Sequence, residues 1–340
     1  QVLADLGADV IKVERKGSGD DTRGWGPPFD VRGESAYFMS VNRNKKSVAM
    51  DLADPEDRAL IAALLADADV AVDNYKRGTL ERYGLAPERF IAECPALVWC
   101  TITGFGPESD RPGYDYVVQA ERGWMAITGE ADGAPMKVGV ALADVVAGKD
   151  AAIAILAGLA SRYRAGRGRH MVTSLAQSAT AALVNVAQNV LVTGRDAPRW
   201  GNAHPNLVPY ELFQAADRPI VIAVGNDAQW HACALALGLD ELAADPRLVA
   251  NSGRLEHREE LVLALSERVR EQPAAHWLER LARAGVPAGV VRSVLEALRE
   301  AEASALSGVA PSVPGEVRFT PPLLDEHGDE VRRSGWSVFG

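Results

Sequence analysis

The sequence predicts an α/β protein: a parallel, doubly wound sheet in a large first domain, followed by a smaller α/β domain. Three observations carry that expectation. Short apolar strands alternate with helical stretches from the start of the chain through Thr103, the spacing that βαβ units require. With 340 residues and 47% hydrophobic content, the chain can bury one large core or two smaller ones. A stretch rich in Gly, Asn and Pro then interrupts the pattern before a second block with its own apolar patterning. The expected organisation is a large domain over residues 1–195, a linker over 196–209, a small domain over 210–303, and a C-terminal segment over 304–340 that returns to the large domain.

Residues 1–9 read as the back half of a helix with Gly7 as its stop signal. A strand and the first helical turns are therefore expected upstream of Gln1. A strand follows over 10–15, then a Gly-rich polar loop over 16–28 and a second strand over 47–52. Asp54-Pro55 supplies an N-cap and a first-position Pro for a helix through Ala68. The strand over 70–75 ends in polar residues, and helices are expected over 79–83 and 87–94, with a strand over 97–103. In such sheets ligands lie at the carboxyl ends of strands, which here deliver Arg15, Asn74-Tyr75 and Gly104-Phe105-Gly106. Two long helices are expected over 143–164 and 172–191, joined by the basic turn Arg164–Arg169, with His170 at the start of the second. Strands at 211–213 and 220–224, a run of helices to Arg283, a strand over 286–292 and a helix over 294–303 complete the second block. No internal repeat or low-complexity tract is present.

The formal charge of −10 and a pI near 5.2 argue against a general nucleic-acid or membrane-surface role. Three cysteines without metal-ligand spacing fit a reduced, cytoplasmic protein with no bound metal. No apolar run reaches the roughly 20 uncharged residues that span a bilayer. Lys45 and Lys46 read as part of a solvated basic loop.

The residue with the most chemical promise is Asp144. From Ala141 onward the sequence reads as a long apolar helix, and a helix contributes chemistry chiefly at its first turn, where N–H groups are unpaired and the macrodipole is positive. An Asp there is expected to stay ionised, with neighbouring N–H groups available to an oxyanion. Taken alone, the same position also reads as a simple N-cap.

Several stretches, in order along the whole chain, resemble the family III CoA-transferases, the formyl-CoA transferase and carnitine CoA-transferase (CaiB/BaiF) superfamily. They are Leu3–Glu14, Gly19–Trp25, Asn42–Ser47, Gly78–Gly84, Thr103–Gly106, Pro112–Tyr116, Val138–Asp144, Arg164–Arg169 and Pro321–His327. The resemblance implies a Rossmann-like large domain, a smaller domain and a homodimer whose chains are threaded through each other like linked rings. It also implies that an N-terminal strand and loop contributing to CoA binding precede this chain.

In the transferases of this family the Asp of the motif matched by Val138–Asp144 is the nucleophile, so the resemblance gives that role to Asp144. Its carboxylate attacks an acyl-CoA to form a mixed anhydride. The CoA thiolate then attacks the enzyme acyl carbon, leaving an aspartyl-CoA thioester and freeing the donor acid, and an acceptor acid reverses the sequence. CoA and acyl-CoA are substrates, and no permanently bound cofactor is implied. In the racemase branch a His precedes the Asp of a Gly-His-Asp stretch and forms a two-base pair with the nucleophile-position Asp. Here that stretch is Gly113-Tyr114-Asp115, and Tyr, with an ordinary pKa near 10, is a poor base at neutral pH. Tyr114 followed by an acidic residue fits the transferase branch. Asp115 is open to two readings, orienting or shielding the anhydride, or capping a helix.

The resemblance places Arg15, Asn74, Tyr75 and Arg82 at CoA, where Arg suits phosphate and Tyr75 suits stacking on adenine. Trp25 is a candidate for the acyl pocket. His204 lies in a stretch resembling dicarboxylate-handling members, which motivates succinyl-CoA as a donor. The glycine lid of formyl-CoA transferases has no counterpart; Gly225-Asn226-Asp227 occupies that region. The expected function is transfer of CoA between carboxylic acids, with an α-methylacyl-CoA racemase-like isomerase and a non-catalytic CoA-binding homologue as alternatives.

Overall fold

A computed structural model describes residues 1–340. In chain order it contains α1 (Val2–Asp5), β1 (Ile11–Arg15), α2 (Ala36–Asn42), β2 (Lys46–Met50), α3 (Pro55–Ala66), β3 (Val70–Asp73), α4 (Thr79–Arg82), α5 (Pro87–Glu93), β4 (Val98–Thr103), α6 (Asp115–Glu121), α7 (Trp124–Ile127), α8 (Leu142–Ala165), β5 (His170–Ser174), α9 (Leu175–Ala181) and α10 (Val184–Thr193). There follow β6 (Tyr210–Gln214), β7 (Pro219–Ala223), α11 (Asp227–Leu237), α12 (Asp240–Ala244), α13 (Asn251–Glu256), α14 (Arg258–Arg270), α15 (Ala274–Arg283), β8 (Ala288–Val290), α16 (Val294–Leu298), β9 (Ala303–Ser304), β10 (Gly308–Val309) and α17 (Gly328–Ser334). The chain divides into two compact units. The first is built from residues 1–124, 138–188 and 298–340, the second from 125–137 and 189–297. Residues 125–137, which the sequence pattern left inside 1–195, cluster with the second unit.

In the first unit the parallel ladder comes in two pieces. β1 pairs with β2 in the register Ile11↔Lys46, while β4 lies between β3 and β5 in the registers Val70↔Val98 and Trp99↔His170. Apolar residues on the strands and covering helices close one core around Val48, Met50, Ile61, Phe90 and Trp99, with Val331 and Val338 from the C-terminal segment packed into it. Each large side chain buried there contributes about 1.5–3 kcal/mol relative to exposure. α3 starts as its sequence dictates: Asp54 accepts from the Glu56 N–H at 2.9 Å, and Pro55 takes a position whose missing N–H costs nothing. α8 runs 24 residues and stops at Gly166, whose φ of 70° a side chain would strain.

The helix expected over 172–191 is instead a strand and two short helices. Residues 170–174 pair with β4, so His170 begins a strand and not a helix. Ser174, extended at φ −139° and ψ 143°, then caps α9 by accepting from the Gln177 N–H. Val184 breaks the run again with a φ of 37°. Local apolar content resembled a long helix, and pairing with β4 overrode it.

The second unit carries an antiparallel sheet in the order β6-β7-β8, with Phe213 opposite Ile220 and Ile220 opposite Val290. Its core gathers Phe213, Ile220, Ile222, Trp230, Leu265 and Trp277, all nearly inaccessible to water. The 196–209 segment is tied down inside this unit, since Arg199 donates to the Glu130 and Ala126 carbonyls at 3.1 and 3.3 Å. Gly225-Asn226-Asp227 forms the start of α11: Asn226 accepts from the Gln229 N–H, and the Gln229 side chain accepts from the Gly225 N–H. No single helix is long and apolar enough to cross a membrane.

Candidate active site

Asp144 is the third residue of α8, not its cap. The cap position is Ala141, which offers no side-chain acceptor, so the helix end must be satisfied from elsewhere. Leu142 donates its N–H to the Val140 carbonyl at 2.8 Å, and Ala143 donates to Asp115 Oδ1, also at 2.8 Å. The Asp144 N–H has no protein acceptor. Its carboxylate makes no hydrogen bond either and lies at the surface of the unit. Surrounding protein nevertheless desolvates it, and this, followed by the nearby Asp115 charge, pushes its pKa up to about 6. Asp144 therefore ionises closer to neutrality than a helix terminus alone would imply, because desolvation and the Asp115 charge outweigh the N-terminal dipole, and most of the free N–H groups are already engaged.

Asp115 does cap a helix, but not its own. It opens α6, and its Oδ1 reaches across to α8 while its Oδ2 accepts from Gln119 Nε2 at 2.8 Å. Backbone contact fixes where α6 begins. A Cβ built on Gly113 would lie 2.1 Å from the Gly104 Cα, and one built on Gly104 would lie 2.4 Å from the Gly113 Cα. Only a pair of glycines lets the end of β4 touch the residue before Tyr114-Asp115. Tyr114 itself is 63% exposed beside this arrangement.

Two aromatics complete the neighbourhood. The pKa of Tyr37 on α2 is raised by burial and then by the Asp144 and Asp115 charges, which places its hydroxyl within electrostatic reach of both carboxylates. The Trp25 ring packs edge-on against Tyr37, with centroids 5.0 Å apart at 71°. Ser35 fastens the two together: its hydroxyl donates to the Thr22 carbonyl and accepts from the Phe38 N–H at the start of α2. The loop carrying Trp25 is held by Arg23, which grips Glu14 bidentately at 2.7 and 2.9 Å, reaches Glu34 at 2.7 Å and stacks 3.7 Å above the Phe38 ring. Burial alone would raise the Glu14 pKa. The Arg23 and Ser47 hydrogen bonds more than reverse this and hold it below the usual carboxylate range.

The residues expected at CoA stand in the same unit, three at strand ends and Arg82 on a helix. Arg15 closes β1, exposed and 3.6 Å from Asp21. Asn74 and Tyr75 follow β3, and Arg82 on α4 is exposed with no ion pair. Tyr75 is raised by burial and by Asp73, with Arg15 acting in opposition, so these two residues share one environment. His204 belongs to the second unit. There its Nδ1 accepts from the Asn206 N–H at 3.0 Å, its ring packs on Tyr210, and burial with the Arg258 charge lowers its pKa. Lys45 and Lys46 are docked and not solvated. Lys45 donates to Val41 and Asn42, and burial, then Lys12, brings it down to about 8; Lys46 donates to the Val338 carbonyl and lies 5.0 Å over the Phe339 ring.

Sequence reasoning missed Tyr37, Gln119 and Arg23. Gln119 was accessible, being one helical turn from Asp115 and so on the same face. Tyr37 was not, because nothing local links α2 to α8.

Parallel strands with covering helices define the α/β class, and at the start of α8 a carboxylate without a hydrogen bond stands beside a second carboxylate. The family model described as CoA-transferase family III matches residues 1–327, and the chain belongs to this family. Among curated relatives, the succinyl-CoA:glutarate CoA-transferase of Mus musculus is 42% identical, covering 96% of this chain and 79% of the relative. The acetyl-CoA:oxalate CoA-transferase of Acetobacter aceti is 37% identical, covering 98% and 90%. Among solved structures, a CAIB/BAIF family protein from Brucella suis superposes with a TM-score of 0.85 at 40% identity, covering 98% of this chain and 93% of that one. The chain is accordingly a CoA-transferase, with CoA thioesters and carboxylic acids as its class of substrates.

Proposed function

We propose that the enzyme moves CoA from a small acyl-CoA, succinyl-CoA foremost, to a carboxylic acid acceptor through covalent intermediates on Asp144. The observation that carries this reading is that Asp144 is the one carboxylate of the cluster left without a hydrogen bond, next to its own uncommitted N–H. An Asp144 oxygen adds to the thioester carbonyl, the carbonyl oxygen becomes an oxyanion that the N–H can meet, and CoA leaves as the thiolate. The thiolate then attacks the Asp144 acyl carbon of the anhydride, forming the aspartyl-CoA thioester and releasing the donor carboxylate. The acceptor acid runs the two steps in reverse, so no water is consumed and no net proton is transferred.

Arg15, Asn74, Tyr75 and Arg82 would hold the CoA nucleotide, while Trp25 and Tyr37 would wall the acyl group. Asp115 would orient the anhydride from its fixed place. The preference for a dicarboxylate rests on relatives named for succinyl-CoA and glutarate; His204 is assigned no step. A homodimer is supported by the uncovered apolar side chains along α8, including Val145, Ile153, Leu156 and Tyr163. The racemase reading loses ground because position 114, where its second base would stand, is Tyr.

Asp144→Ala is expected to lower exchange of isotope-labelled succinate into succinyl-CoA by about 10³-fold or more. Exchange within tenfold of the wild type would overturn the nucleophile assignment. A panel of carboxylic acids with succinyl-CoA as donor, read by mass spectrometry, identifies the acceptor.

A further inference from the structure

Gln119 lies one turn after Asp115 on α6 and is fully buried. Its Nε2 donates to Asp115 Oδ2 at 2.8 Å and to the Val140 carbonyl at 3.4 Å, and its Oε1 accepts from the Val138 N–H at 2.9 Å. With the Asp115 to Ala143 bond, these contacts close a ring: Val138 to Gln119, Gln119 to Asp115, Asp115 to Ala143. The segment inside the ring, 138–143, leads directly into Asp144. We propose that Gln119 is a positioning residue for CoA transfer, gripping Asp115 and the backbone before α8 together so that Asp144 is presented beside a fixed carboxylate and without a hydrogen bond of its own.

The chemistry of the grip is specific. One side chain must donate toward Asp115 and accept from Val138, and a carboxamide does both in a single plane. A carboxyl group does so only while it carries its proton. The titratable groups facing this ring are Asp115 on α6, Asp144 on α8 and the Tyr37 hydroxyl on α2. Tyr114 borders it from the residue before α6 and is largely exposed. The 138–141 segment and α9, which packs against both α6 and α8, contribute no ionisable side chain. A carboxyl introduced at position 119 would stand opposite Asp115 in place of the amide that donates to it, and that contact would form only while the new carboxyl carries its proton, which rising pH removes.

This inference rests on the proposed transfer function, so Asp144→Ala is assayed in parallel. Succinyl-CoA with labelled succinate is the probe, from about pH 5.5 to pH 8. Gln119→Glu is expected to run within a few-fold of the wild type at the acid end, where its proton restores the donor, and the ratio of variant to wild type should fall about tenfold or more by pH 8. Gln119→Leu is expected to lose about 10–100-fold in kcat at every pH with little change in KM. A Gln119→Glu to wild-type ratio that stays constant across the range would overturn the proposal, as would a Gln119→Leu kcat within twofold of the wild type. If Gln119→Leu fails to fold, the Gln119→Glu ratio alone decides. Exchange that survives in Asp144→Ala sinks the nucleophile reading instead, and the pH dependence of the Gln119→Glu ratio still reports on Gln119.

Discussion

The first unit contains two pairs of carboxylates treated in opposite ways. Glu14 and Glu34 face a single Arg23, which satisfies Glu14 with two hydrogen bonds and Glu34 with one, behind side chains that are almost completely covered. Asp115 and Asp144 make no ion pair. Asp115 is engaged by neutral donors alone, and Asp144 by none. The first arrangement anchors the Trp25 loop; in the second, desolvation and then the Asp115 charge raise the pKa of Asp144. Compensated charge fixes a loop, whereas uncompensated charge leaves a carboxylate with a raised pKa, which is why the proposed nucleophile falls in the second pair.

The comparison can be broken most forcefully at Arg23. Arg23→Leu leaves Glu14 and Glu34 buried without their cation and is expected to cost about 3–5 kcal/mol in urea unfolding at pH 7. The deficit should shrink as the pH falls and the orphaned carboxylates take up protons. A deficit under 1 kcal/mol at pH 7 would mean that the clamp holds nothing. A smaller effect is expected from Asp115→Asn, which removes the second cause of the raised Asp144 pKa while burial, the larger cause, remains. The acid limb of kcat, near pH 6 if Asp144 must be ionised, should move down by about half a unit to one unit. An unmoved limb would detach Asp115 from the electrostatics of Asp144.

The smallest effect concerns stability. The folded protein favours the protonated form of Asp144, whose pKa rises from 3.8 to about 6. The cost of its charge is thus absent below about pH 4 and complete above about pH 6. Asp144→Asn should then raise the melting temperature at pH 8, by an amount corresponding to about 1 kcal/mol once solvent exposure is allowed for, and leave it unchanged near pH 4. Equal effects at the two pH values would remove the electrostatic explanation.

Much of this molecule was legible in its residues. Alternating strands and helices gave the α/β class, the Asp54-Pro55 start of α3 was readable from its capping chemistry, and the ordered motifs pointed to the family. Local signals failed where partners distant in sequence decide the outcome. Residues 170–174 carry enough apolar character to pass for helix, and only the adjacent β4 makes them a strand. Asp144 reads as a cap until Asp115, from another helix, is seen to take that task. The raised pKa of Asp144 was misjudged for the same reason: a dipole can be read along a helix, but desolvation by elements far along the chain cannot.

The contact between Gly104 and Gly113 bears on how this sequence can drift. Where two side chains collide, a second change can trim one to admit the other. Here main chain meets main chain, and neither neighbour has anything to remove. A single methyl group at either position would force the end of β4 away from the start of α6 and carry Asp115 off the amide it reaches on α8. The spacing between the two carboxylates is thus inherited through a pair of residues that have no side chains, and trimming a neighbouring side chain cannot substitute for them.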